Sequence, residues 1–482
     1  NSMPVVPYRS NLFQTHQEIH QFLISCQQRS SQDNQTKIAS LSLEIDPVDP
    51  LVLLDAIATS DRVHFYYENP IKRESTIAFD NVIFHESDSQ TRFDEAQNFI
   101  DFWLNHTCSI GTQGLDFTGP YFLCRFTFFE QPRVENSPFP ASSVFLPRFQ
   151  VVQRQENYSI VINLAVNAYS NAAVMADEIW KVFKEIQSFN HQTFRLAHRP
   201  PSLNGQYSYP NSHQSVLNLG NFKSAVAAAL KVIQAQKLHK VVLAHAVDVT
   251  ASAPFQLAAS LNNLRTLHPD CYVFSTSNGD GQTFLGASPE RLISVSQQQL
   301  VTDALAGSAP RGGTPLEDAA LANRLLCSQK ERHEHRVVVD FINQQLKQLG
   351  LDPQFFPTPG LLQLSNIQHL HTPIRALLTT RTHPLSILSV LHPTPAVAGA
   401  PREIAYQQIR QYEPFERSLY AGPLGWIDHQ GNSEFLVGIR SALIQENQAR
   451  LYAGAGIVAG SNPDKELAEV KLKLKALLEA LI

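Results

Sequence analysis

Runs of β-prone residues that follow one another in series set the tightest limit on this fold. Three long ones, 120–130, 143–153 and 158–166, are joined by turn-rich segments, the pattern of an antiparallel meander. Shorter ones lie at 41–45, 62–67 and 75–84. A second series occupies 240–250, 271–277, 283–287, 291–296 and 300–306. Helical patterns are mixed among them without a regular βαβ alternation, which argues against a doubly wound parallel sheet. The expected class is α+β, with large antiparallel sheets flanked by helices.

The helices are read at 11–32, 50–59, 94–104, 171–189, 221–238, 315–326 and 329–349. The one at 94–104 turns Phe99, Ile100, Phe102 and Trp103 toward a core. A hairpin is expected from 434–445 and 450–458 across 446–449, and a last helix from Pro463, capped by Asn462. Between 190 and 215 the chain is poor in aliphatics and rich in Pro, Asn, Ser and His. That segment is expected to link an N-terminal α+β subdomain, 1–200, to a catalytic C-terminal region, 215–482, the two forming one compact unit.

Charge narrows the partners. Lys and Arg number 38 against 43 Asp and Glu, a net charge of −5. Neither nucleic acid nor an anionic membrane has an electrostatic reason to bind. No apolar run reaches the length of a membrane span, and the first thirty residues show no signal-peptide core. The five cysteines are odd in number, widely spaced and without a CxxC, as in a reduced, cytoplasmic setting.

The chemistry-bearing stretch runs from Gly286 to Arg336. Glu290 sits in an S-P-E turn, 305–308 reads as a small-residue loop, and a helix follows with Glu331 and Glu334 on one face. Glu331 also fits a capping box with Ser328. His333 and His335 are two apart on the helix, so R-H-E-H-R is not the HExxH of a zinc peptidase. Glu466, Glu469 and Lys473 form a polar stripe on the last helix, which by spacing alone is a solvated face with a Glu469–Lys473 pair. If the two E-x-x-E faces meet, up to four carboxylates converge, which is tolerable only around a cation; all-oxygen ligation suits Mg²⁺. The spacing GxGxxxG at 454–460 leaves no room for a dinucleotide fold, but its glycines would let backbone amides approach an anion. Arg440 would serve as a carboxylate clamp. Lys240 by itself earns no role.

Several motifs together give a resemblance over roughly 221–482. They are K-V-V-L-A at 240–244, G-A-S-P-E at 286–290, L-A-G-S at 305–308 and K-E-R-H-E-H at 330–335. L-H-P-T-P-A at 391–396, Y-A-G-P-L-G-W at 420–426, G-A-G-I-V at 454–458 and E-L-A-E-V-K-L-K at 466–473 follow in order. This set resembles the chorismate-utilising enzymes, among them isochorismate, salicylate, anthranilate and aminodeoxychorismate synthases. The N-terminal half matches more loosely, through S-L-E-I-D-P-V-D-P, which is like quinone-pathway isochorismate synthases.

The resemblance implies a fold like that of anthranilate synthase component I and chorismate as substrate. It implies Lys240 as the base that activates water and Glu290 as the general acid, so Glu290 must be held protonated and Lys240 partly neutral. It implies Mg²⁺ on Glu334 and Glu469 with Glu331 and Glu466 nearby. Gly307 and Ser308 would bind the ring carboxylate; Tyr420, Arg440, Gly456 and Lys473 the enolpyruvyl carboxylate; His369 would lie beside the reacting ring. Ala306 stands where lysine-dependent aminodeoxychorismate synthases carry that lysine, and the anthranilate-type segments are missing, so no glutaminase subunit is expected. His245 departs from the arginine of many relatives. The expected enzyme is a monomeric isochorismate synthase of menaquinone or phylloquinone biosynthesis. Salicylate synthase, and from another class a catalytically silent chorismate-binding protein, stay as alternatives.

Overall fold

The computed structural model describes residues 16–111, 118–132, 137–195, 215–365, 367–379 and 382–482. Most of the expected link, 196–214, lies outside them. The expected class holds: among the described residues, twenty strands, nearly all paired antiparallel, hydrogen-bond into one continuous network, with helices packed against it. Among the described residues, only Lys37–Ile45 and Thr107–Gly111 pair in parallel.

In the first half, Lys37–Ile45 pairs with Asn157–Val166, which pairs with Ser142–Arg154. Ser142–Arg154 then carries Glu74–Ser87 and Tyr121–Phe126. Two seams cross to the second half. His64–Asn69 pairs with Tyr272–Ser277, and Tyr121–Phe126 with Pro423–Asp428. One buried apolar core runs through both halves.

The second half brings distant segments side by side. Lys240–Thr250 lies along Gln448–Val458, so Val242 opposes Gly456. Thr283–Ser288 pairs with Ser441–Gln445, and Gln299–Pro310 with Ile367–Leu377. The last helix, Pro463–Leu481, packs over Gln448–Val458, with Val470, Leu474 and Leu477 buried beneath it. Asn462 caps it as expected, its Oδ1 accepting from the amides of Asp464 and Lys465.

Two expectations need correction. Leu305, Ala306, Gly307 and Ser308 are not a loop; they belong to the strand Gln299–Pro310. Its register slips between Ala306 and Ser308, with Gly307 at φ 80°. The four small residues mark a bulge, which needs a residue tolerant of positive φ. The stretch 434–445 is not one strand but two, Ser433–Val437 and Ser441–Gln445, broken where Arg440 adopts φ 50°. The following turn is also tighter than expected, since Gln445 already pairs with Gln448.

Candidate active site

All thirteen residues singled out from the sequence line one cavity of about 190 Å³. They arrive on separate elements. Lys240 opens its strand, and Glu290 follows the strand Thr283–Ser288. Gly307 and Ser308 form the bulge, and His369 lies across from it on Ile367–Leu377. Glu331 and Glu334 come from the first turns of the helix Gln329–Gln348. Glu466, Glu469 and Lys473 come from the last helix, Gly456 from Gln448–Val458, and Tyr420 and Arg440 from connecting segments. The two E-x-x-E faces therefore open on the same space.

Lys240 is buried at 2 % exposure and its Nζ is 2.7 Å from Glu334 Oε1. Glycine at 456 leaves room for this ion pair. A Cβ there would stand 2.8 Å from Glu334 Oε1 and 3.2 Å from Lys240 Cε, inside ordinary contact. Glu290 is also buried, at 4 % exposure. Burial pushes its carboxyl up to about 8; Asp303 adds to the rise, and Lys240 opposes it. A carboxyl in that range keeps its proton near neutrality.

The capping box is half right. Ser328 Oγ accepts from the Glu331 amide, but the Glu331 carboxylate does not turn back to the cap; it accepts from the Ser308 amide at 3.2 Å. Nor is the Glu466–Glu469 stripe a fully solvated face, since Glu466 is buried. Burial first, then a neighbouring carboxylate (Glu334 for Glu331, Glu469 for Glu466), raises both acids above the usual carboxylate range. Lys473 Nζ joins Glu469 at 2.7 Å and the Gly454 carbonyl at 3.0 Å, so the expected ion pair forms inside the site.

Among the described residues, no three His, Cys, Asp or Glu side chains close on one point as a ready metal cage. The donor set nevertheless fits a hard cation. It is all carboxylate and mutually repelling, and Mg²⁺ binds through one or two carboxylates while keeping several waters. His335 is not a ligand: it is buried, with Nε2 2.7 Å from Thr372 Oγ1 and Nδ1 near the Ala306 carbonyl.

The other end of the cavity is cationic. Arg440 reaches Cys271 Sγ at 4.0 Å and His369 Nε2 at 3.3 Å, and no carboxylate among the described residues pairs with it. Burial holds its guanidinium below the usual arginine range. With Lys473 nearby, it makes a seat for an anion. His245 takes no part: it bonds Asn218 Oδ1 at 3.0 Å on the far face of the Lys240 strand.

Sequence reasoning missed the support for Lys240. Glu413 and Arg417 form a fully buried ion pair at 2.6 Å. Glu413 Oε1 accepts from the Ala244 amide, while Arg417 donates to the carbonyls of Val242 and Val397. The i, i+4 spacing was the available signal, but it reads equally as a surface pair. Arg417→Ala would remove the guanidinium 2.6 Å from the buried Glu413 carboxylate, and breaking a buried pair from one side is expected to cost about 3–5 kcal/mol in urea unfolding. A loss below ~1 kcal/mol contradicts the assignment. Ala396, Val397 and Ile439 also line the cavity and carried no chemical signal in the sequence.

Comparison with known proteins places this cavity in context. The family described as chorismate binding enzyme matches residues 21–482. The salicylate biosynthesis isochorismate synthase of Pseudomonas aeruginosa is 33 % identical over 448 residues, 92 % of this chain and 90 % of that protein. The structure of MenF, the menaquinone-specific isochorismate synthase from Escherichia coli, superposes with TM-score 0.74 at 27 % identity, covering 95 % of this chain and 100 % of that one. Anthranilate synthase component I from Streptococcus pneumoniae shares the fold, with TM-score 0.66 at 21 % identity, over 84 % of this chain and 92 % of that one.

Proposed function

The chain belongs to the chorismate-binding enzymes, and on that premise we propose that it is an isochorismate synthase, converting chorismate to isochorismate. One observation carries the reading. A buried carboxyl held protonated to about pH 8 shares a cavity with a buried lysine. Moving a hydroxyl around the ring needs such a pair. Lys240, in its neutral amine form, takes the proton of the attacking water at C2, and Glu290 gives its own to the C4 hydroxyl as that group leaves. Atoms balance: one water enters and one leaves.

The remaining groups hold the substrate. Arg440 and Lys473, with the Tyr420 hydroxyl, supply positive and donor groups for the enolpyruvyl carboxylate. The Gly307 bulge and Ser308 face the ring carboxylate. Mg²⁺, held by Glu334 and Glu469 with Glu331 and Glu466 beside them, would add positive charge against that carboxylate.

Water is the proposed nucleophile and no glutaminase subunit is needed, a reading supported by Ala306 in the cavity wall. The proposed setting is a monomer in the cytoplasm. The pathway served is proposed to be that of a menaquinone or phylloquinone, supported by the likeness to the menaquinone-specific structure. The Pseudomonas relative is itself named an isochorismate synthase, of salicylate biosynthesis, and supports a salicylate pathway as the other setting for the same reaction.

The pH profile tests the acid. Because Glu290 must carry its proton, kcat/KM should fall as pH rises through about 8. A profile that stays flat through that range contradicts the assignment.

A further inference from the structure

His369 joins the two carboxylate seats. Its ring lies between Arg440 and Ser308, with Nε2 3.3 Å from Arg440 Nη2 and Nδ1 2.8 Å from Ser308 Oγ. A guanidinium has only donors, so the nitrogen facing Arg440 must accept. That leaves the proton on Nδ1, which faces Ser308 Oγ, with the Gly307 backbone carbonyl as a second acceptor beside the ring. The Ser308 hydroxyl then cannot donate to the ring. Its own hydrogen is left for the cavity, since Ser308 Oγ has no other hydrogen bond among the described residues.

We infer that His369 is a positioning residue, fixed by Arg440 in the Nδ1–H tautomer, whose task is to aim the Ser308 hydroxyl hydrogen at the substrate's ring carboxylate. The arrangement is directional. Arg440 sets the ring, the ring sets the hydroxyl, and the hydroxyl presents a donor where an anion is to be bound. Burial and the adjacent cations Arg440 and Lys473 hold the imidazole well below its ordinary range, so it stays neutral at pH 7. The part concerning the ring carboxylate rests on the proposed function; the tautomer does not.

Two measurements separate these parts. Selective ¹⁵N-histidine labelling, with His369 assigned by its loss in His369→Gln, reads the tautomer directly in the free protein. Neutral Nδ1–H at pH 7 is expected; Nε2–H or the imidazolium overturns the proposal whatever the enzyme catalyses. Kinetics with chorismate read the consequence. Ser308→Ala should raise KM by about 10–100-fold with little change in kcat, the size of one hydrogen bond to a charged group. His369→Ala should do the same, and the double variant should be hardly worse than either single. His369→Gln, whose amide can accept from Arg440 and donate to Ser308, should recover most of the loss. Additive effects, or a glutamine variant as poor as alanine, overturn the relay. A wild-type protein that leaves chorismate unchanged refutes the proposed function and leaves the tautomer to the NMR result.

Discussion

Glu290→Gln should fold, bind chorismate and lose turnover by about 10²–10⁴, the range for removal of a single general acid. It should also be more stable than the parent at neutral pH and above. The sign follows from where the proton sits. In the unfolded chain the carboxyl ionises near 4.5, in the folded protein at about 8. Between those values the unfolded state has lost the proton and the folded state has kept it. Ionisation there favours unfolding, so the residue costs stability progressively from about pH 4.5 to 8 and by a constant amount above. Glutamine has no such proton. The variant should gain on the order of 5 kcal/mol at pH 8.5 and nothing at pH 4. Thermal unfolding at the two pH values checks this. Equal stability at both would mean that Glu290 is not the strained acid described above. Lys240→Ala should lose turnover over the same range, and the double variant should be little worse, because the two groups act in one step.

Glu334→Ala and Glu469→Ala should each abolish turnover, and excess EDTA should silence the parent enzyme until Mg²⁺ is restored. The reason is the electrostatics of the cavity floor. Four carboxylates from two helices open on one space, and two of them are already pushed up by burial and by a neighbouring acid. Three lysines line the cavity and each faces one of these acids, Lys240 with Glu334, Lys473 with Glu469 and, more loosely at 3.6 Å, Lys330 with Glu331, which leaves Glu466 without a lysine of its own. A divalent cation held there would offset the excess negative charge and let a substrate carboxylate enter beside it. Titration calorimetry gives a readout apart from activity: Mg²⁺ binding should be present in the parent and lost in both variants. Full activity in EDTA, or unchanged binding in the variants, sinks the metal assignment.

The order of β-prone runs made the α+β class readable, because strand and helix periods are local properties. Caps were equally local, and Asn462 behaves as its spacing requires. The bulge at Gly307 was misread as a loop because four small residues carry no alternation to mark a strand. The break at Arg440 was invisible, since an arginine gives no local signal for the left-handed backbone it adopts; its close approach to Gly286, where an added Cβ would lie 2.5 Å from the Arg440 carbonyl, is a tertiary fact. The site residues separated by type. Glu331 and Glu466 looked like a capping residue and a surface stripe, and only the meeting of two helices, a tertiary fact, turns them inward. Lys240 had no local signal at all; ordered motifs singled it out. The Glu413–Arg417 pair stayed hidden because an i, i+4 spacing says nothing about burial.

The most direct test of the account is to incubate the purified protein with chorismate and Mg²⁺ and resolve the products by HPLC. The account predicts isochorismate in equilibrium with chorismate, formed without ammonia or a second subunit and without matching release of pyruvate. Salicylate with stoichiometric pyruvate, an amino-substituted product, or chorismate recovered unchanged would contradict it.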